Sequence, residues 1–182
     1  MAVPASQSLE RLSRLLANDA LVAGLRPVQW EALRYLAKAN RFSRTPKALT
    51  AYLGTTKGTV SQTVQALEKK GLVAKRRASG DQRVVKLELT KTAHPVLEND
   101  PLSKVQAVVD QLGRTELFHV EEGLETIILG LLEQRGGRPF GICRSCSHFR
   151  SADTSGESHC ALLNVSLTRE DAGKICAEQE PV

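Results

Sequence analysis

Apolar residues along the chain follow helical spacing first, switch to strand-like spacing, and then return to helical spacing. Over residues 6–18, Leu9, Leu12, Leu15 and Leu16 recur three and four apart and predict an amphipathic helix. Pro27 suits a first helical turn, and Trp30, Leu33, Leu36 and Ala37 predict a second helix that fades at Asn40. Thr45-Pro46 starts a third helix, over 47–53, with Gly54 as its stop. Thr55 or Thr56 caps a fourth, in which Val60, Val64 and Leu67 share a face until Gly71 ends it. Residues 72–77 and 83–89 then have the residue types of two strands, joined by the turn-forming Ala78-Ser79-Gly80-Asp81-Gln82. Helical spacing resumes after Thr90, interrupted by Pro95 and Pro101, with helices expected over 101–112 and 114–135. Leu117, Val120, Leu124, Ile127, Ile128, Leu131 and Leu132 give the last of these a wide apolar side, and Gly136-Gly137-Arg138-Pro139 breaks the pattern.

The predicted fold class is therefore mainly α with a small β-hairpin wing, in the order helix, turn, helix, hairpin. Two units are expected: 1–137, in which 41–91 holds the winged helix-turn-helix, and 138–182, in which all four cysteines lie. Composition fits a soluble globular chain of 182 residues, 41% hydrophobic and only 4% aromatic, so Leu, Val, Ile and Ala must form the core. No apolar run approaches the roughly 20 residues of a membrane span, and the first twenty residues lack the apolar centre of a secretory signal. A cytoplasmic protein is expected.

Charge is distributed unevenly. Between Arg41 and Lys91 stand twelve Lys or Arg against three acids (Glu68, Asp81, Glu88), whereas the whole chain carries only +5. Such an asymmetry predicts a polyanion against the middle of the chain. At about 100° per residue, turning Val60, Val64 and Leu67 inward leaves Thr55, Gly58, Thr59, Gln62, Gln65 and Lys69 outward. Lys57, Ser61 and Thr63 flank that face. Small hydroxyl and amide groups of this kind suit base edges in a major groove, although a merely solvated helix face has the same composition. In the hairpin, Lys75, Arg76 and Arg77 enter the tip, and Asp81 and Arg83 leave it. An arginine at such a tip can enter a minor groove, with the aspartate orienting its guanidinium; an ordinary exposed ion pair is the bland alternative.

Leu67-Glu68-Lys69-Lys70-Gly71-Leu72-Val73, Arg76, Asp81-Gln82-Arg83, Leu87 and Leu89-Thr90 together resemble the recognition helix and wing of MarR-type regulators. The resemblance extends over roughly 6–135. It implies a homodimer interlocked through its terminal helices, with recognition helices in successive major grooves of double-stranded DNA. It implies base and phosphate contacts from Thr55, Thr56, Lys57, Thr59, Ser61, Gln62, Thr63, Arg76 and Arg77, and minor-groove contact from Arg83 braced by Asp81. The first and last long helices, rich in Leu and Ile, would form the dimerisation region. Many members of the family also bind small aromatic acids, but no residue set for such a pocket is evident here.

Cys143-Arg144-Ser145-Cys146 is a C-x-x-C pair, with Cys160 and Cys176 beyond it. In a cytoplasmic protein this clustering favours metal or redox chemistry over structural disulfides. Four thiolates suit structural zinc, which would supply folding energy to a segment too short for a core of its own. They suit an iron-sulfur cluster equally, and a metal-free thiol switch or four unrelated buried thiols remain open. His148 and His159 lie near these positions, with surface or supporting roles expected. An iron-sulfur centre would make the protein a redox or iron sensor acting through the adjoining dimer helix; zinc would brace the dimer or recruit a partner.

No nucleophile motif or phosphate-binding glycine loop is present, so no enzyme is expected. His119, with Glu116 and Glu122 at helical spacing, reads as a solvated cluster. A redox enzyme or electron carrier, with the winged helix as a docking element, is the competing class. A non-specific architectural DNA-binding protein is a third.

Overall fold

The computed structural model describes residues 3–22, 24–78, 81–137, 140–151 and 158–181, without the side chains at 22, 78 and 81–83. The first elements are helices α1 (Ala5–Val22), α2 (Pro27–Lys38), α3 (Pro46–Tyr52) and α4 (Lys57–Lys69). Two strands follow, β1 (Val73–Ala78) and β2 (Asp81–Leu89). The spacing of apolar residues accounts for the packing. Trp30, Leu33 and Leu36 of α2, Leu49 of α3, Val60, Val64 and Leu67 of α4, and Leu87 of β2 are all under 2% exposed and share one core. Trp30 also donates its indole N–H to the Ala20 carbonyl at 3.3 Å, fixing the end of α1 against α2.

Local chemistry sets the helix ends. The Arg26 amide donates to Gln29 Oε1 at 2.9 Å in front of α2, and Thr45 Oγ1 accepts from the Ala48 amide at 3.1 Å in front of α3. Gly54 (φ +57) and Gly71 (φ +70) leave α3 and α4 through the left-handed region, where a side chain would be strained. In the hairpin, Val73 faces Leu89 and Arg77 faces Val85, with a register shift between Arg77 and Ala78. The base of the hairpin is tied down because the Leu87 amide donates to the Arg44 carbonyl at 2.8 Å.

Beyond the hairpin the two prolines start helices rather than break one. Pro95 lies in the first turn of a short α5 (Ala93–Glu98), and Pro101 is the N-cap of α6 (Leu102–Val109). Between them Asp100 accepts two bonds from Arg34 of α2, each 2.6 Å, and one from the Leu102 amide at 2.8 Å. Burial alone would raise this carboxyl's pKa, but the Arg34 and Leu102 bonds outweigh it and hold it below the ordinary range. The long helix α7 (Arg114–Gln134) has no buried residue, and neither has α6. None of the helices among the described residues is long and apolar enough to cross a membrane.

The last unit is built from short pieces: β3 (Gly141–Ile142), a 3-10 turn (Cys143–Ser145), β4 (Phe149–Arg150), β5 (Ser158–Cys160), β6 (Val165–Leu167), α8 (Arg169–Ala172) and β7 (Ile175–Cys176). Strands β4, β5 and β6 form one sheet, and β3 pairs with β7. Thr168 caps α8: its Oγ1 accepts from the Asp171 amide at 3.0 Å, and its hydroxyl donates to Asp171 Oδ2 at 2.8 Å.

This unit docks on the connection between α2 and α3. The Asn40 amide donates to the Ile175 carbonyl at 2.9 Å, and the Ala177 amide to Ser43 Oγ at 2.9 Å. Arg41 pairs with the buried carboxylate of Asp171 at 3.1 Å and donates to the Ser166 carbonyl at 2.7 Å. Phe140 sets its ring edge-on to Tyr35 and Tyr52, at 6.1 and 5.2 Å between centroids. These contacts lie on the helix-turn-helix itself.

Candidate nucleic-acid interface

Helix α4 is capped by Thr56, whose Oγ1 accepts from the Thr59 amide at 3.1 Å and lies 3.0 Å from the Thr59 hydroxyl. Its outward face exposes Thr56, Lys57, Gly58, Thr59, Ser61, Gln62 and Gln65, while Thr55 is half-buried. Thr63 departs from the expected set. It is only 6% exposed, and its hydroxyl donates to the Thr59 carbonyl at 2.9 Å. Standing three residues from Val60 and next to Val64, it turns inward, and the backbone bond satisfies its one polar group at little cost. Thr63 is therefore removed from the groove-facing residues.

Two of the three acids in the basic stretch are held by bases. Glu68 lies 2.6 Å from Lys75, and Glu88 lies 2.5 Å from Arg76 on the paired strand. Arg76 and Arg77 are exposed. Asp81 and Arg83 have their backbones in β2, but their side chains are outside the described part, as are Ser79 and Gly80 altogether.

Some of the positive charge serves structure, which a count of bases does not reveal. Lys86 donates to the Phe42 carbonyl at 2.9 Å, and burial lowers its pKa. Arg44 Nε donates to the Ala39 carbonyl at 3.1 Å. Both brace the 39–44 connection from within. Asn40, only 1% exposed, completes that bracing: its Oδ1 accepts from the amides of Phe42 (3.1 Å) and Ser43 (2.9 Å). Asn40 and Ser43 escaped the sequence reading because their partners lie far along the chain or in the backbone. Nothing in their spacing marks them.

Cys143, Cys146, Cys160 and Cys176 are all buried and unpaired by disulfides. Cys143, Cys160 and Cys176 share an apolar cluster with Leu167, against which Phe42, Phe149 and Val165 pack. Cys143 and Cys146 flank a tight turn closed by the Cys146 amide on the Cys143 carbonyl at 3.2 Å, and Cys146 Sγ accepts from the Glu180 amide at 3.5 Å. Burial pushes the Cys143 thiol up to about 11, and the negative charge that Cys176, Cys160 and Cys146 would carry adds to this. The sulfurs are thus gathered, yet among the described residues no three His, Cys, Asp or Glu side chains stand in an arrangement that could hold a metal ion. His148 Nε2 lies 3.0 Å from Glu180 Oε2, and His159 pairs across the sheet with Arg150. His119 and Glu122 are exposed, 4.0 Å apart.

Residues 23–84 match the sequence profile of the MarR family. No curated protein matches the chain significantly. Among solved structures, the chain is similar to MepR of S. aureus, crystallised with DNA, at 20% identity over 71% of this chain and 99% of that one, with a TM-score of 0.57. It is similar to a MarR transcriptional regulator of Methanosarcina mazei Go1 at 18% identity, covering 70% and 96%, TM-score 0.57. For the apo form of MarR from E. coli the values are 20%, 70% and 98%, with a TM-score of 0.51. Residues 23–84 thus match the MarR-family profile, and 70–71% of the chain shares the fold of these solved structures.

Proposed function

We propose that the protein is a sequence-specific transcription regulator that binds double-stranded DNA as a homodimer. MarR family proteins are transcription regulators and not enzymes, and a MepR–DNA complex shares the fold. The observation that carries the reading is the outward face of α4. Lys57, Thr59, Ser61, Gln62 and Gln65 are exposed together beside the basic hairpin, and the nearby acid Glu68 is neutralised by Lys75. A helix of this width fits a major groove, where hydroxyls and amides read base edges. Arg76, Arg77 and Lys57 supply phosphate contacts, and Arg83, steadied by Asp81, reaches the neighbouring minor groove.

The dimer reading rests on apolar surface. Phe118, Val120, Leu124, Ile127, Ile128 and Leu131 of α7 are exposed, as are Leu12 and Leu15 of α1. A run of this extent calls for cover, and a second copy supplies an identical face under two-fold symmetry. The four buried cysteines are proposed as a thiophilic metal centre, zinc or an iron-sulfur cluster. The support is the donor set itself, four buried thiols in a unit of two- and three-residue strands.

The test is selection of a duplex from a random-sequence pool, followed by titration over a salt series. A strong preference for the selected duplex is expected, with log affinity falling steeply against log salt. Lys57→Ala should weaken all duplexes alike and reduce that slope by about one. Arg83→Ala should lose affinity without unfolding, and Gln62→Ala should relax base preference. Equal affinity for selected and random duplexes would remove sequence reading and leave an architectural protein.

A further inference from the structure

We infer that the cleft between helix α3 and the C-terminal unit is a binding site for a small organic anion with a flat apolar body. The cleft measures about 660 Å³, within the size range of small-molecule sites. Both parts of the chain build it. Phe42, Ala48 and Ala51 line it from the helix-turn-helix, and Phe140 and Leu163 line it from the C-terminal unit. Its shape is set before any guest arrives, because the two parts are already bonded to each other. The Ala177 amide, at one side of the cleft, is held on Ser43 Oγ at 2.9 Å, and the Phe140 ring is held edge-on to Tyr35 and Tyr52. A preformed site spares a ligand the cost of ordering it.

The charge of the guest follows from Lys86, which reaches the cleft from the base of the hairpin. Lys86 is half-buried, and among the described residues its ammonium has one acceptor, the Phe42 carbonyl at 2.9 Å. An ammonium carries three protons. Burial lowers the Lys86 pKa, and no carboxylate offsets that effect. Glu178 lines the same cleft but pairs with neither Lys86 nor Lys47 among the described residues. A half-buried cation without a counter-ion favours an anion beside it. Lys47, exposed and also lining the cleft, adds a second positive charge. The Ser43 hydroxyl takes the Ala177 amide on its oxygen, and its proton has no acceptor among the described residues. Ammonium and hydroxyl together suit a carboxylate or a similar oxyanion.

The apolar lining decides between a small molecule and a nucleic-acid strand. A phosphate backbone would meet the lysines but would gain nothing from Phe42, Phe140 and Leu163. A flat apolar body gains from all three. Such a guest lies against the start of α3, the base of the hairpin and the C-terminal unit at once.

The experiment titrates the full-length protein by calorimetry with biphenyl-4-carboxylate and, separately, with the uncharged biphenyl-4-carboxamide. The carboxylate should bind about tenfold or more tighter, and amide resonances of Ala48, Ala51 and Ala177 should shift on its addition. Lys86→Gln should bring the two affinities together, and Lys47→Gln should remove a smaller part of the difference, as an exposed charge does. Ala51→Trp breaks no bond of the fold and fills the cleft, so it should abolish binding of both probes even if Lys86→Gln fails to fold. Equal affinity for the two probes, no binding of the carboxylate, or shifts confined to the apolar faces of α1 and α7 would each overturn the site. The titration contains no DNA, so its result stands apart from the regulator reading.

Discussion

Helices α2 and α7 both carry frequent large apolar residues, yet one buries its apolar face within a single chain and the other buries no residue at all. In α2, Trp30, Leu33, Tyr35 and Leu36 are enclosed by α3, α4 and the hairpin. In α7, Phe118 and Ile128 are more than half exposed. The contrast shows that the spacing of apolar residues decides whether a helix is amphipathic, and that the rest of the chain decides whether the apolar side is covered. The winged helix is complete in one copy. On the dimer reading, α7 is not.

The sharpest way to break this comparison is to charge the uncovered face. Ile128→Glu should place an unpaired charge at a two-fold contact, weakening self-association by about 3–5 kcal/mol while leaving the winged helix folded. Sedimentation velocity with thermal melting reads both, and a wild-type chain that sediments as a monomer at high concentration would dissolve the contrast. On the covered side, Leu67→Ala should cost about 2–5 kcal/mol in denaturant unfolding. A loss below about 1 kcal/mol would mean the core is looser than Leu67's complete burial implies.

Between the two regions stands the Arg34–Asp100 bond pair. Asp100→Ala should cost about 1–3 kcal/mol at neutral pH. Because the folded carboxyl ionises more readily than the unfolded one, its contribution is present above the ordinary aspartate pKa of 3.8 and is lost as pH falls through the lower folded value. Wild type and variant should thus converge in acid, and a difference that persists at the lowest pH would rule out ionisation as its source. The smallest effect is expected at Thr168→Ala, about 1 kcal/mol for loss of the α8 cap, read as local amide exchange around Asp171 and Ala172 with the winged helix unchanged.

Sequence legibility follows the same divide. The winged helix could be read because its helices run for two to four turns and its core positions repeat, so Trp30, Leu33, Val60, Val64 and Leu67 all stood where spacing put them. Thr63 was misplaced because a helical wheel fixes the centre of a face better than its margin, and a threonine can satisfy its hydroxyl on its own backbone. The short α5 left no trace beyond Pro95, since six residues give no period to detect. In the cysteine unit, strands of two and three residues fall below any repeat, and only the cysteines themselves stood out. Its docking through Asn40 and Ser43 depends on backbone partners more than a hundred residues away, which no local pattern encodes.

The pairing of β3 with β7 brings the start of the cysteine unit beside its end, with Gly141 opposite Cys176. The chain therefore grips the winged helix at both places, through Phe140 on Tyr35 and Tyr52 and through Ile175 on Asn40. A protease cutting once between β4 and β5 would sever the polypeptide without releasing either fragment. The nicked molecule should migrate as one species under native conditions and separate into two only in denaturant, so that a clipped preparation could pass unnoticed through every step that preserves the fold.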